Sequence, residues 1–165
     1  MEYRQLGKSD LNVSTIGFGA WGIGGKPFWS TEGEGNSIRS IEKAIDQGIN
    51  FFDTAPVYGF GYSEELLGRA LQAKRKDVII ATKCGLRWKK EEIKSIEKIS
   101  TKESILEEID LSLKRLRIDC IDLYQIHWPD ESTPIEETMN TLLQIQKEGK
   151  VRYIGVSNYS VDQMQ

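Results

Sequence analysis

The sequence has 165 residues, of which 39% are hydrophobic and 28% are charged, and its formal net charge is −3. This composition is typical of one globular domain with a substantial core, and the slight acidity argues against nucleic acid or an anionic membrane surface as a partner. No apolar run approaches the roughly 20 residues of a membrane-spanning helix, and the N-terminus carries no apolar signal core. We therefore expect a cytoplasmic protein.

The first predicted element is a β-hairpin, because residues 3–5 and 12–14 flank a turn-forming cluster from Gly7 to Asp10. From about residue 14 onwards, short β-branched apolar runs alternate with longer segments of helical periodicity. The predicted strands after the hairpin cover residues 14–19, 50–53, 77–83, 120–127 and 151–156. Strands that alternate with helices predict a parallel sheet with right-handed crossovers, and hence an α/β fold in a single domain over residues 1–165.

Helix boundaries are marked by capping patterns. The first predicted helix covers about residues 37–47, and Gly149 ends the fourth. The intervening helix starts carry hydroxyl side chains followed by acidic residues: Ser63 with Glu64 and Glu65, Ser100 with Glu103, and Thr133 with Pro134 and Glu136. Ser160 and Gln163 have the spacing of a further capping box, which predicts the start of a fifth helix.

Residues 84–101 show no clear periodicity and are predicted to form an irregular insertion. The basic stretch from Lys89 to Lys102 is interleaved with glutamates, which favours a solvated loop over a phosphate-facing role. Cys84 and Cys120 form no Cys-x-x-Cys pair, so we expect two small buried residues on strands, although Lys83 could lower the pKa of the Cys84 thiol.

Polar residues follow or end four of the predicted strands: Asp53, Lys83, His127, and Ser157 with Asn158. The carboxyl ends of parallel strands meet at one edge of the sheet, which is where ligands bind in α/β folds. One such residue alone is more often a turn former. Four strands that end in this way favour a functional site at that edge.

Tyr58 lies in the loop after Asp53 and is a candidate acid. A free tyrosine has a pKa of about 10, and a neighbouring Lys83 ammonium would lower it, while Asp53 would hold that ammonium in place. The competing interpretations are that Tyr58 packs its loop, that Lys83 is a surface lysine and that His127 is structural.

The pattern Gly17-x-Gly19-x-x-Gly22 matches a dinucleotide-binding fingerprint, but no helix opens directly after it. This disfavours a Rossmann dehydrogenase. The glycines either form turns or let the backbone and Trp21 approach a ligand closely.

These residues resemble the aldo-keto reductase family over the whole chain. The resemblance rests on six blocks in order: Gly17-Phe18-Gly19-Ala20-Trp21-Gly22, Asn50-Phe51-Phe52-Asp53-Thr54-Ala55-x-x-Tyr58-Gly59, Ser63-Glu64-x-x-Leu67-Gly68, Ala81-Thr82-Lys83, Asp119-x-Ile121-Asp122-Leu123-Tyr124-x-Ile126-His127, and Gly149-Lys150-Val151-Arg152-Tyr153-Ile154-Gly155-Val156-Ser157-Asn158. The resemblance implies a partial (β/α)8 barrel of the TIM type, with roughly its first five strands and four helices preceded by the hairpin of about residues 1–14. The insertion at residues 84–101 resembles the bacterial or plant branch of the family.

The resemblance also implies NADPH-dependent reduction of an aldehyde or ketone by a tetrad. Tyr58 would be the general acid that protonates the developing alkoxide, Lys83 held by Asp53 would tune Tyr58, and His127 would orient the carbonyl and could help relay the proton. These roles agree with what general acid and electrostatic catalysis require.

The cofactor expected from the resemblance is NADP(H), without a metal. Ser157 and Asn158 match positions that hold the nicotinamide carboxamide, and Ala20, Trp21 and Asp53 match positions that line the cofactor pocket. The residues that choose between NADP and NAD in this family lie largely outside this sequence.

The length of the sequence leaves three alternatives open, because a complete barrel takes ~250 residues. The chain could be a fragment, could pair with a second chain that completes the barrel, or could be a stable partial barrel without turnover. We expect self-association, since an unpaired fifth strand exposes an edge. The alternative to an enzyme is a non-catalytic half-barrel that acts as a binding or scaffold protein.

Overall fold

The computed structural model of the chain describes residues 1–29 and 33–165. Its helices are α1 (Glu34–Asp46), α2 (Tyr62–Leu71), α3 (Lys102–Leu116) and α4 (Ile135–Lys147). Its strands are β1 (Tyr3–Gln5), β2 (Asn12–Ser14), β3 (Phe18–Gly19), β4 (Phe51–Asp53), β5 (Ile79–Cys84), β6 (Leu86–Trp88), β7 (Ile96–Lys98), β8 (Ile121–Ile126) and β9 (Val151–Val156). Short 3₁₀ turns lie at Gln72–Asp77, Ile93–Ser95 and Asp162–Met164. None of the helices in the described part of the chain is both long and apolar enough to cross a bilayer.

Five strands form one parallel sheet in the order β3-β4-β5-β8-β9, and a helix follows each of the first four. Neighbours in the sheet are also neighbours in the order of βα units along the chain, as is usual for consecutive elements. The predicted α/β fold with a parallel sheet is confirmed.

The main core lies between this sheet and the four helices. Strand side chains such as Phe52, Ile80 and Tyr124 are fully or almost fully buried against apolar helix faces. The helices contribute these fully or largely buried residues: Ile41, Ala44, Leu67, Leu71, Ile105, Ile109, Leu116, Leu142 and Ile145. Each large apolar side chain stabilises the fold by about 1.5–3 kcal/mol when buried. These residues recur at helical spacing, so they form one apolar face per helix, which packs against the sheet.

The N-terminal hairpin pairs β1 with β2 at the predicted residues, with Tyr3 opposite Ser14. The predicted strand at residues 14–19 is wrong in its extent. Ser14 ends β2, and β3 has only two residues, because Ser14 exchanges hydrogen bonds with Asn50 (2.7 and 3.1 Å) and turns the chain. The hairpin thus covers the amino end of the sheet and leaves the other end open.

Two predicted caps are also wrong. The helix α2 begins at Tyr62 after Gly61, so Ser63 lies inside it, and its hydroxyl donates to the Ala20 carbonyl (2.8 Å) and contacts the Thr54 hydroxyl (2.9 Å). Thr101 rather than Ser100 caps α3, where its hydroxyl accepts from the Ser104 amide. In both cases a tertiary contact or a one-residue shift overrode the local pattern.

The remaining helix starts lie near their predicted positions. The helix α1 begins at Glu34, before the predicted residue 37. A third predicted cap is wrong as well, because Pro134 rather than Thr133 is the N-cap residue of α4 and the Thr133 hydroxyl donates to Asp130 instead (2.7 Å). The capping box of Ser160 and Gln163 is confirmed by reciprocal hydrogen bonds of 2.9 and 3.2 Å.

The segment predicted as an irregular insertion contains an antiparallel pair, β6 with β7. Leu86, Trp88 and Ile96 give these strands one apolar face. The many charged residues between them made this alternation hard to recognise in the sequence. The side chains of Lys89 and Lys94 are 81% and 86% exposed, as the solvated interpretation predicted. Cys84 is buried in β5, whereas Cys120 is half-buried just before β8.

Candidate functional site

The residues predicted to form a site end or follow strands at the carboxyl edge of the parallel sheet. Asp53 ends β4, Lys83 is the penultimate residue of β5, and His127 follows β8. Ala20 and Trp21 follow β3, and Ser157 and Asn158 follow β9. The parallel topology therefore brings positions far apart in sequence to one edge.

Lys83 and Asp53 form an ion pair at the centre of this edge. The Lys83 Nζ donates to Asp53 Oδ1 (2.7 Å) and to the Thr54 carbonyl (2.9 Å). Lys83 is 5% exposed, so these two acceptors offset the cost of removing its ammonium from water. The Thr54 carbonyl is a contact that sequence analysis missed, because no side-chain pattern reports it.

Tyr58 lies between this ion pair and His127. The Lys83 Nζ is 5.2 Å from the centre of the Tyr58 ring, and the ring centroids of Tyr58 and His127 are 5.8 Å apart in an edge-on arrangement. The Tyr58 loop packs backbone to backbone on the loop after β3, and a Cβ at Gly24 would lie 2.9 Å from the Tyr58 carbonyl carbon. Glycine at that position lets the two loops approach closely.

The Tyr58 hydroxyl is not a stronger acid in this structure. Burial, with a further contribution from the charge of Asp53, raises the pKa of Tyr58 to about 12. The prediction of a lowered Tyr58 pKa is therefore wrong for the chain as described, because burial of the phenol outweighs the effect of the neighbouring ammonium. The Lys83 ammonium bonds to Asp53, whose negative charge opposes formation of a second anion.

His127 is neutral at physiological pH. Burial, and secondarily the positive charge of Lys83, lowers the pKa of His127 to about 4. Neither its ring nitrogens nor the Tyr58 hydroxyl hydrogen-bonds to another group in residues 1–29 and 33–165. A protonated phenol and a neutral imidazole thus face the open edge with unused hydrogen-bonding capacity.

Ser157 and Asn158 continue this edge next to His127. The Asn158 side-chain amide donates to the His127 carbonyl (2.8 Å) and to the Ser157 hydroxyl oxygen (3.1 Å), and its φ of 62° is a left-handed conformation that asparagine tolerates. The Asn158 Oδ1 and the Ser157 hydroxyl proton have no partner among the described residues.

Aromatic rings extend from Tyr58 across the loops, and sequence analysis missed most of them. Trp21, which is 49% exposed, lies 6.3 Å from Tyr58 between ring centroids. Further ring contacts join Trp21 to Trp29 and Phe28, Phe28 to Phe60, and Phe60 to Trp88. The sequence feature that could have predicted these ring contacts is the clustering of aromatic residues in the segments that follow strands.

Comparisons with known proteins agree on one family. A model of the aldo/keto reductase family matches residues 15–165. Aldo-keto reductase YhdN of Bacillus subtilis is 47% identical, with 99% of this chain and 49% of that protein covered. The NADH-specific methylglyoxal reductase of Escherichia coli is 41% identical (95% and 52% covered), and a probable voltage-gated potassium channel subunit beta of Arabidopsis thaliana is 38% identical (99% and 48%).

Solved structures give the same result. A glycerol dehydrogenase from Gluconobacter oxydans superposes with a TM-score of 0.89 at 44% identity, and the match covers 99% of this chain and 50% of the dehydrogenase chain. The holo form of an aldo-keto reductase from Bacillus halodurans gives a TM-score of 0.86 at 37% identity, with 96% and 50% covered. The chain spans about half the length of the relatives it matches, and the predicted partial barrel is confirmed. This chain belongs to the aldo/keto reductase family of oxidoreductases.

Proposed function

We propose that this protein catalyses NADPH-dependent reduction of a small aldehyde or ketone, with Tyr58 as the general acid. The observation that carries the proposal is the pair of unpartnered groups, the Tyr58 hydroxyl and the His127 imidazole, beside the Lys83–Asp53 ion pair. A substrate carbonyl oxygen that receives hydrogen bonds from both groups would satisfy them. The names of two relatives, a methylglyoxal reductase and a glycerol dehydrogenase, support a small oxygenated substrate.

The edge of the sheet fits a nicotinamide ring. A carboxamide needs both a donor and an acceptor, and the Ser157 hydroxyl proton and Asn158 Oδ1 offer these. Ala20 is buried and Trp21 presents an exposed aromatic surface nearby, which suits a planar ring. When bound, a reduced nicotinamide supplies a hydride to the carbonyl carbon.

The residues of this chain then supply the proton and the charge stabilisation. Tyr58 donates its hydroxyl proton to the carbonyl oxygen, which becomes the alcohol. Lys83 stabilises the phenolate left on Tyr58, and Asp53 keeps Lys83 in place through the 2.7 Å contact. Neutral His127 orients the carbonyl oxygen, and water returns a proton to Tyr58.

This function is tested by assaying the protein with methylglyoxal and either NADPH or NADH, following loss of the reduced nicotinamide. The proposal expects turnover with NADPH and a weaker reaction with NADH. A faster reaction with NADH would overturn the cofactor preference alone. Absence of turnover with both nucleotides over a panel of small aldehydes and ketones would overturn the proposed reaction.

A second candidate is a non-catalytic binding or scaffold protein, favoured by the relative named as a channel subunit. Titration with NADPH separates the two, because Trp21 lies beside the proposed nicotinamide position and its fluorescence should be quenched. Quenching that is lost in Trp21→Phe and kept in Trp128→Phe supports the reductase. No binding at millimolar nucleotide supports the scaffold.

We also propose that the chain self-associates or pairs with a chain that completes the barrel. In the described residues, β3 and β9 each have a sheet neighbour on one side only, and unpaired strand edges favour association. Sedimentation should detect a dimer or larger species, and a monodisperse monomer would contradict this. The cytoplasmic location stays a prediction.

A further inference from the structure

Two buried carboxylates on helices lie outside the edge of the sheet where the site is. Glu64 in α2 is completely buried, and Glu108 in α3 is 4% exposed. A buried carboxylate costs free energy unless it is paired and hydrogen-bonded, and an apolar side chain of similar volume is often at least as stable in its place. The contacts of these two carboxylates are therefore informative about their role.

Glu64 joins two helices to strand β5. Its Oε1 accepts a hydrogen bond from the Thr82 hydroxyl (2.7 Å), and its Oε2 accepts one from Arg115 Nη1 (3.0 Å). Thr82 directly precedes Lys83, so Glu64 fixes the residue on the amino side of the lysine.

Glu108 holds the chain where it leaves β5. Both its carboxylate oxygens lie within hydrogen-bond distance of the Gly85 amide (3.2 and 3.1 Å), and the Ser104 hydroxyl donates to its Oε1 (2.9 Å). Gly85 has a φ of 87°, which marks the end of the strand. Glu108 therefore fixes the chain two residues after Lys83.

The part of β5 between these contacts pairs with a neighbouring strand on one side only. The strand pairs with β4 only as far as Ala81, whereas its pairing with β8 continues to Cys84. Successive side chains of a strand point to opposite faces, so Thr82 reaches the helices while Lys83 points to the other face of the sheet. A contact that fixes Thr82 thus also fixes the direction of Lys83.

We infer that Glu64 and Glu108 are positioning residues, which act through β5 to place the Lys83 ammonium between Asp53 and the ring of Tyr58. The inference rests on the proposed function, in which Lys83 stabilises the Tyr58 phenolate. Neither carboxylate contacts the proposed substrate position, and each acts only through the backbone or side chain of a neighbour of Lys83.

The inference is tested by measuring the reactivity of the Lys83 amine in the intact chain. Competitive labelling with limiting acetic anhydride, quantified by mass spectrometry, gives the ratio of labelling at Lys83 to labelling at Lys94, whose side chain is 86% exposed. We expect this ratio to rise severalfold in Glu64→Leu and in Glu108→Leu. The matched controls are Glu65→Leu and Glu107→Leu, which change exposed neighbours and should leave the ratio unchanged.

Turnover provides a second readout. The leucine variants at 64 and 108 should lower kcat by roughly tenfold to a hundredfold, as small misplacements of catalytic groups do, with little change in KM. A purely structural role would lower the folded fraction, seen by circular dichroism, without this split between kcat and KM. If Glu64→Leu does not fold, Thr82→Val carries its test, because it removes only the hydroxyl that reaches Glu64. If Glu108→Leu does not fold, Ser104→Ala carries its test, because it removes the hydroxyl that reaches Glu108.

The labelling experiment needs no turnover, so the two proposals fail in different ways. A protein that reduces no carbonyl contradicts the proposed function and leaves the labelling prediction standing. Folded variants in which Lys83 labels at the wild-type ratio overturn the positioning role, whatever the wild-type activity.

Discussion

Two clusters of polar side chains lie at opposite ends of the same strands and differ in how they use their hydrogen bonds. At the amino ends, the Asp122 carboxylate contacts Arg75 (2.9 Å), Arg152 (2.8 Å) and the Ile80 amide (2.9 Å). At the carboxyl ends, the Tyr58 hydroxyl and the His127 imidazole bond to no other described residue. Unused hydrogen-bonding capacity, rather than polarity, therefore distinguishes the candidate site from a structural cluster.

The amino-end cluster also ties the hairpin to the sheet. Arg152 bridges Asp122 to Asp10 of the hairpin loop (2.7 Å), and Tyr153 donates to the same Asp10 oxygen (3.0 Å). The stabilising ion pairs lie at the amino ends of the strands, so the carboxyl ends are free to bind a ligand. Barrels of this type usually separate stability and binding in this way.

The largest effect on stability is expected from Asp122→Ala. The substitution removes three polar contacts of a buried carboxylate and leaves the Ile80 amide without an acceptor, while Arg75 and Arg152 keep other acceptors, so the free energy of unfolding should fall by about 3–5 kcal/mol. Urea denaturation measures this loss. Asp10→Ala is the control, because the Asp10 side chain is 71% exposed and its ion pair should contribute less than about 1 kcal/mol. Equal losses in the two variants would contradict the contrast between buried and exposed pairs.

A pH-dependent effect is expected from Glu108→Gln. Burial raises the pKa of Glu108 from 4.5 to about 7. The folded state therefore favours the protonated carboxyl, and its contribution to stability is complete below pH 4.5 and is lost as the pH rises through about 7. The loss is on the order of 3 kcal/mol.

The glutamine variant cannot ionise and should not show this loss. Its stability relative to the wild type should rise between acidic and slightly alkaline pH, as measured by urea denaturation across that range. Glu107→Gln should show no such trend, because its side chain is 59% exposed. Parallel pH profiles for wild type and Glu108→Gln would contradict the raised pKa.

A smaller effect on stability is expected from Lys83→Met, although the lysine is buried. The Asp53 side chain is 34% exposed, so water can hydrate it once its partner is lost, and the free energy of unfolding should fall by only about 1 kcal/mol. Turnover should fall by roughly a hundredfold or more, since the phenolate loses its counter-ion. A stability loss as large as that of Asp122→Ala would place Lys83 with the structural cluster instead.

The smallest effect is expected from pH on the wild-type reaction. Tyr58, with a pKa of about 12, stays protonated, and His127, with a pKa of about 4, stays neutral through the neutral range. Ionisation of these two groups should therefore change kcat/KM by less than about twofold between about pH 6 and pH 9, and a step near pH 7 that is absent from Glu108→Gln would come from Glu108 acting through Lys83. A steep change centred near pH 7 that persists in Glu108→Gln would show that a different group, or a different Tyr58 pKa, controls the reaction.

The sequence predicted the sheet and the residues at its edge because both depend on simple periodicity. Strand and helix patterns alternate, so the parallel order follows, and Asp53, Lys83 and His127 then share an edge. What it could not predict depends on tertiary contacts. Ser63 has the pattern of a cap, yet its hydroxyl bridges two loops instead.

The direction of the Tyr58 pKa was wrong for a related reason. The sequence indicated that Lys83 would lie near Tyr58 and be held by Asp53, but not that burial of the phenol would dominate its pKa. The proximity of Lys83 and Tyr58 could be inferred from the topology. Whether burial or the nearby charges dominate the Tyr58 pKa depends on the three-dimensional packing around the phenol.

The substitution Tyr58→Phe tests most directly whether Tyr58 supplies the proton at this edge of the sheet. The ring contacts with Trp21 and His127 remain possible, and the hydroxyl has no partner among the described residues, so stability should change by less than about 1 kcal/mol. We predict that kcat falls by roughly a hundredfold or more while nucleotide quenching of Trp21 fluorescence is retained. A folded Tyr58→Phe protein that reduces the carbonyl at the wild-type rate would contradict this role of Tyr58.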